Sequence, residues 1–399
     1  MMMPKTIIIS LLSLGILLAC SCAFSPQYLG RYRSEHICLS AKVDPNENRE
    51  GSLAAATKTL GKVPYGEQSR KYRRTVFKHD DWVNHRSSSS RVFDNLQSLF
   101  FSGVVRQLRP QVTAVSAVAV FVLMWNIGLV SNIEANQDIA FDLPIIALPI
   151  LPFTLSSPAL GLLLVFRTNA AYTRWMISRD TWSRMTAHAK NLVRMAAVFS
   201  TDQQAVKEFS KIVYLYCRSV MNQLSSPDED EVKYIEEVKA LYQESPIGTQ
   251  ICESNNRAMV AWKHLSVQLH SLPVADPKAL IETDKSVIIL GECAAVCEKI
   301  YSSPVPLVYT RHTARFLSIW ALLVPCALYS SFAEAGEVLA TLPASMILAF
   351  FLFGIDELAM QLEEPFSILP MGYFCKDILD SATILVEMDD LEVQEEVIS

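Results

Sequence analysis

LPIIALPILPFTLSSPALGLLLVFRTNAAYTRW, running from Leu143 to Trp175, is the stretch on which the fold turns. Its first two thirds are apolar enough to enter a lipid bilayer. Yet Pro144, Pro149, Pro152 and Pro158 fall inside it, and a proline removes a backbone donor and clashes with the preceding helical turn. Irregular backbone is tolerated at membrane depth only where it is buried in protein or lines a cavity. A proline-rich span therefore points to the wall of a passage. The bland alternative is a kinked helix packed in a bundle, because proline is common in membrane helices.

Three further stretches can span a bilayer, which takes about 20 mostly apolar residues. They are Val112 to Val130, Pro306 to Phe332 and Val338 to Gly354. Together with Leu143 to Phe166 they form two close pairs, and this clustering excludes a chain of ordinary soluble domains. Arginine and lysine set the topology. Arg70, Lys71, Arg73, Arg74, Arg106 and Arg109 precede the first span, and Arg167, Arg174, Arg179 and Arg184 follow the second. The intervening loop, SNIEANQDIAFD, and the loop AEAGE between spans three and four hold no basic residue. Both ends of the mature chain and its long middle segment therefore share the basic side. The middle segment, residues 176–303, is polar and rich in helix formers. Val206, Phe209, Ile212, Val213, Leu215 and Tyr216 recur at near-helical spacing within it. The expected fold is an all-α membrane protein, with four transmembrane helices per subunit and a helical aqueous domain.

The chain opens with Lys5, a short apolar run and small residues at Ser21 and Ala23, the pattern of a secretory signal peptide over residues 1–23. SCAFSP, Ser21 to Pro26, resembles the cleavage motif of plastid proteins in algae with complex plastids, with Phe24 at the new N-terminus. Residues 24–70 then read as a plastid transit peptide, although Asp44, Glu47 and Glu50 depart from its usual lack of acids. The remaining divisions are a basic interfacial segment (71–111), a first membrane pair with the proline-rich segment (112–175), the helical domain (176–303), a second pair (304–354) and a C-terminal segment (355–399).

No phosphate loop, dinucleotide fingerprint or nucleophile elbow occurs. A net charge of −6 gives no reason to expect a nucleic-acid partner. Cys293 and Cys297 lie one helical turn apart, but no second pair completes a zinc site. They read as ordinary helix residues. His79 stands beside Asp80 and Asp81 in a basic stretch, where a surface histidine needs no catalytic role. Arg311, His312 and Arg315 open the third span at its basic end, where long side chains reach back to the interface. No enzymatic activity, metal or cofactor is expected.

FKHDDWVNHRSSS, FRTNAAYTRW and DELAMQLEEPFSILP occur in that order around these spans. On these motifs the chain resembles the bestrophin family of anion channels, and most of all its plastid branch of thylakoid voltage-dependent chloride channels. The resemblance covers about Tyr72 to Leu391. It implies a homopentamer around one pore, a second membrane segment broken into short pore-lining helices, and chloride or other small anions as cargo. It also implies a hydrophobic neck at Pro158, Leu162 and Phe166, of which Pro158 departs from the usual aliphatic residue. Animal members bind calcium just after the last span through a run of acids. Here Glu363 and Glu364 are followed by no such run, so the two read as surface or intersubunit charges. The expected setting is the thylakoid, or alternatively the inner envelope, with passive anion flow balancing pumped protons. An alternating-access carrier and a non-transporting membrane scaffold are the rivals; carriers often carry inverted repeats, and none is visible here.

Overall fold

The structure, a computed structural model, describes residues 70–87, 93, 96–97, 103–130, 144–243, 245–274 and 276–386. The signal and transit segments, the loop at 131–143 and the last residues lie outside the described part. Every regular element among the described residues is helical, apart from one isolated bridge between Ser200 and Val274. Numbered in chain order, they begin with α1 (His79–Ser87) and α2 (Gly103–Leu123), which continues through a π-helical stretch, Met124–Val130. Then come α3 (Leu151–Phe199), α4 (Gln203–Leu224), α5 (Pro227–Tyr242) and α6 (Pro246–Glu253). The chain continues with α7 (Arg257–Ser271), α8 (Pro277–Ser302), α9 (Leu307–Glu334), α10 (Thr341–Glu363) and α11 (Met371–Val386).

Four helices are long and apolar enough to cross a membrane: α2 with its π-helical end, α3, α9, and α10 with the short turn before it. These are the four expected spans; α2 starts before the stretch read from hydropathy, α3, α9 and α10 end after theirs, and α3 also starts eight residues later, at Leu151. Only 17–33% of their most apolar windows is buried within one chain, so most of that surface must face lipid or another copy. The spans touch in two buried clusters, one of smaller residues, Val115, Ala321 and Ala349, and one of leucines, Leu160, Leu164 and Leu317. Small residues let membrane helices approach closely, where packing rather than water expulsion holds them together.

The aqueous domain has a conventional core. From Ile212 to Val220, α4 is buried on every side, enclosed by α3, α5, α7 and α11. The apolar positions predicted from helical spacing all lie in this core, and so do Cys293 and Cys297. Local sequence explains the helix starts. Asp202 caps α4 by accepting from the N–H groups of Gln204 and Ala205 at 2.9 and 3.2 Å. Asn256 caps α7 and Asp276 caps α8 in the same way. Pro227 starts α5, where its missing donor costs nothing, and Asp228, Glu229 and Asp230 face the positive end of its dipole.

A cluster of three charged residues is buried beside this core. Arg218 on α4 is 3% exposed and grips Asp230 with two bonds of 2.8 Å and Glu237 with one of 2.5 Å. Burial alone would weaken its charge, but Asp230 and Glu237 outweigh burial and raise its pKa. Beside it Arg257 makes two bonds of 2.7 Å to Glu231 and covers the Tyr234 ring. The hydrogen bond from Arg257 holds the Glu231 carboxyl below its ordinary range.

Candidate functional site

The four prolines do not act alike. Pro144 and Pro149 lie in an extended segment over residues 144–149. Each biases its predecessor away from helix, so this part cannot coil. Its polar groups are paired by side chains and a neighbouring helix. The buried Asn126 donates to the Ile146 carbonyl and accepts from the Ile146 N–H, both at 2.9 Å. Trp125 donates to the Pro144 carbonyl at 3.0 Å, and Leu148 N–H reaches the Cys326 carbonyl on α9 at 3.1 Å. Asn126 thus stands in for the partner strand that a membrane cannot supply.

Pro152 falls in the first turn of α3, where its fixed φ suits a helix start. Pro158 lies inside α3 without breaking it. A proline there leaves the Thr154 carbonyl, four residues back, without its usual N–H, and the Ser157 hydroxyl donates to that carbonyl instead at 3.1 Å. The expected series of short helices is therefore corrected. The break is confined to residues 144–150, and one helix of 49 residues runs from Leu151 through the neck positions into the aqueous domain.

That helix has two contrasting faces. Leu160, Leu164, Arg167, Ala171, Ser178 and Trp182 are buried and recur at helical spacing across the membrane boundary. The opposite face carries Pro158, Leu162 and Phe166, all exposed, with Leu162 and Phe166 each at 54%. The structure thus brings the three together on one bare face of α3, and no side chain caps the helix start nearby.

The basic-side ends of the spans are fastened to one another. Arg174 on α3 donates to the carbonyls of Glu363, Ser303 and Ile300 at 2.6–2.7 Å, a cation among helix-terminal carbonyls. Glu363 accepts from Val305 N–H at 3.1 Å. Glu364 takes the N–H groups of Phe366 and Ser367, the Ser367 hydroxyl and the Arg70 guanidinium. Arg70 also reaches the carbonyls of Gln361 and Glu364. Both glutamates, read from sequence as surface or intersubunit charges, also bond segments of their own chain. Arg74 extends the strap, bonding the Ser367 carbonyl and the Glu229 carboxylate.

His79 is exposed on α1, and Asp81 accepts from the Lys78 backbone N–H at 2.8 Å. Arg311, His312 and Arg315 are exposed at the start of α9. No group of three or more His, Cys, Asp or Glu among the described residues is placed to hold a metal ion.

The profile of the family described as Bacterial/Fungal Bestrophin protein matches residues 81–383. The chain belongs to the bestrophin family. Among curated bestrophin relatives, voltage-dependent chloride channel 1, chloroplastic, from Arabidopsis thaliana is 30% identical over 77% of this chain and 72% of its own length. Voltage-dependent chloride channel 2, chloroplastic, from the same plant is 29% identical over 82% and 76%. A solved bacterial bestrophin homolog from Klebsiella pneumoniae shares the fold at a TM-score of 0.57, covering 70% of this chain and 98% of that one at 19% identity. The bestrophin motifs read from sequence now have positions. FRTNAAYTRW is the stretch of α3 that begins at Phe166, the last of the exposed trio, and DELAMQLEEPFSILP is the end of α10 with the loop that Arg70 and Arg74 grip. Sequence reasoning missed Asn126 and the pairing of Arg167 with Asp356. Both left a signal: a lone amide in one span, and two opposite charges just past the ends of two others.

Proposed function

We propose that the chain is one subunit of a chloride-conducting channel in a plastid membrane, with α3 lining the pore. The exposed apolar stripe of Pro158, Leu162 and Phe166, opposite a fully packed face, carries this reading. Copies of α3 arranged around an axis would bring these side chains into a narrow neck, and an apolar neck can gate by dewetting. The start of α3 above it has no side-chain cap, and helix N-termini favour anions. A homopentamer, as the family resemblance implies, would give five such ends.

The names of the Arabidopsis relatives support chloride as cargo and the chloroplast as setting. The reading assigns a passive channel, not an enzyme. Signal peptide 1–23 and transit peptide 24–70 would deliver it, and the acid-only loops would face the thylakoid lumen. There, inward anion flow would offset the charge of pumped protons.

Purified protein in a planar bilayer tests this. Single-channel steps should appear in chloride and vanish when a large organic anion replaces it. Leu162→Ala combined with Phe166→Ala should widen the neck and raise the resting leak. A carrier would show no unitary steps, and a scaffold would show no current. Unchanged leak in the double variant would remove these residues from the neck.

A further inference from the structure

The packed face of α3 is held by directional contacts at four levels. Ser156, Leu163, Arg167 and Arg174 follow one another at intervals of seven, four and seven residues, which places them on one side of the helix. From α9, Trp320 Nε1 donates to Ser156 Oγ at 3.1 Å and the Tyr309 hydroxyl donates to the Leu163 carbonyl at 3.2 Å. Below these, α10 takes over. Arg167 pairs with Asp356, and Arg174 Nε donates to the Glu363 carbonyl at 2.7 Å. The separation in sequence is 189 in both cases. Hence α3 and α10 run side by side in the same direction, with two rungs one heptad apart.

The upper rung is unusual in its place. Arg167 occupies the buried stripe between Leu164 and Ala171, and its side chain is 7% exposed against 14% for Asp356. Among the described residues its buried Nε has no partner, and Asp356 is the carboxylate paired with it. An apolar contact there would bury as much surface and tolerate a slip along the helix. A buried ion pair tolerates little, and fixing register is the best-attested use of such groups. Phe166 adjoins Arg167 in the chain, so the direction of one sets the direction of the other.

We propose that Arg167 and Asp356 are positioning residues for the neck. Their pairing fixes the rotation of α3 so that Leu162 and Phe166 face the pore, and the neck changes shape only when α3 and α10 move together. This rests on the reading of Leu162 and Phe166 as neck residues.

The test uses the full channel in planar bilayers, with open probability and unitary current read separately. Asp356→Asn and Arg167→Gln should each shift open probability by about fivefold or more, within the coupling range of residues in contact. The exchange of Arg167→Asp with Asp356→Arg should bring it back toward the parent value. Arg184→Ala, which breaks an exposed pair with Glu292, should leave gating as it was. Wild-type gating in both single variants, or an exchange no closer to the parent than they are, would overturn the proposal. Should the single variants fail to assemble, Asp356→Glu keeps the charge and lengthens the side chain; altered gating supports a register role and unaltered gating refutes it. Leu162→Ala separates the two readings. If it changes the current and Asp356→Asn does not, the neck stands and the register device falls. If Leu162→Ala changes nothing, the neck reading itself is lost.

Discussion

Asn126→Leu removes the amide that pairs both backbone groups of Ile146. The residue is 2% exposed, and both of its bonds are 2.9 Å long. Leucine keeps the branched shape with the same number of heavy atoms, so the chief loss is polar. An unsatisfied buried backbone group costs about 1–3 kcal/mol. Ile146 is only half-buried, so the lower value applies to each group and the sum is about 2 kcal/mol. Carried wholly by the unfolding rate, a loss of ~2 kcal/mol shortens the native half-life about thirtyfold. Membrane proteins unfold irreversibly, so half-life at a fixed temperature is the proper measure. The same variant should show unstable unitary currents, because the extended segment leads directly into α3. Asn126→Asp adds a sign. A protonated carboxyl can both donate and accept, whereas an ionised one only accepts; this variant should therefore gain half-life on acidification, unlike Asn126→Leu. If Asn126→Leu keeps the parental half-life within a factor of about two, the amide is not what holds the segment.

Gly291→Ala should destabilise the aqueous domain, since a Cβ there would lie 2.5 Å from Trp262 Cζ2, and that ring is pinned by its bond to the Val287 carbonyl at 3.1 Å. Overpacking of this kind costs about 1–3 kcal/mol, read as a lower thermal midpoint with a changed tryptophan emission. Glu231→Gln should lower stability at neutral pH and converge with the parent in acid. The Glu231 carboxyl is held below its ordinary range by Arg257, so its contribution is present above the free value near 4.3 and is lost as pH falls through the lowered one. Thermal midpoints of both proteins at neutral pH and below about pH 4 check it, and a gap that grows with acid would contradict the sign.

Hydropathy alone placed the four spans, because a stretch of apolar residues has few other uses. It could not place their ends. α3 continues for 33 residues beyond Phe166, since the buried stripe persists unchanged in period while the exposed face turns polar around it. The prolines showed that the second span was irregular but not where. Pro144 and Pro158 look alike in sequence; what separates them is Ser157, which answers the carbonyl that Pro158 leaves free. The proposed neck positions came only from the family motif; the structure adds that Pro158, Leu162 and Phe166 share one exposed face of α3. The pairing of Arg167 with Asp356 was hidden because partners 189 residues apart leave no local pattern. The bonds of Glu363 to Val305 and of Glu364 to Arg70 were hidden for the same reason, because these partners are remote in sequence.

A single unbroken α3 also makes the protein a lever. At about 1.5 Å per residue, the stretch from Phe166 to Phe199 is roughly 50 Å long. With the fulcrum near Arg167 and Arg174, a tilt of about 5° at the neck would sweep the far tip through roughly 4 Å over that length. A small adjustment inside the bilayer is thereby magnified in water, where Val198 and Phe199 stand exposed. On the proposed reading of the neck, the tip is both a readout of it and a handle on it, and because α3 is packed into the aqueous core from Trp182 to Ala196, that core would move with it.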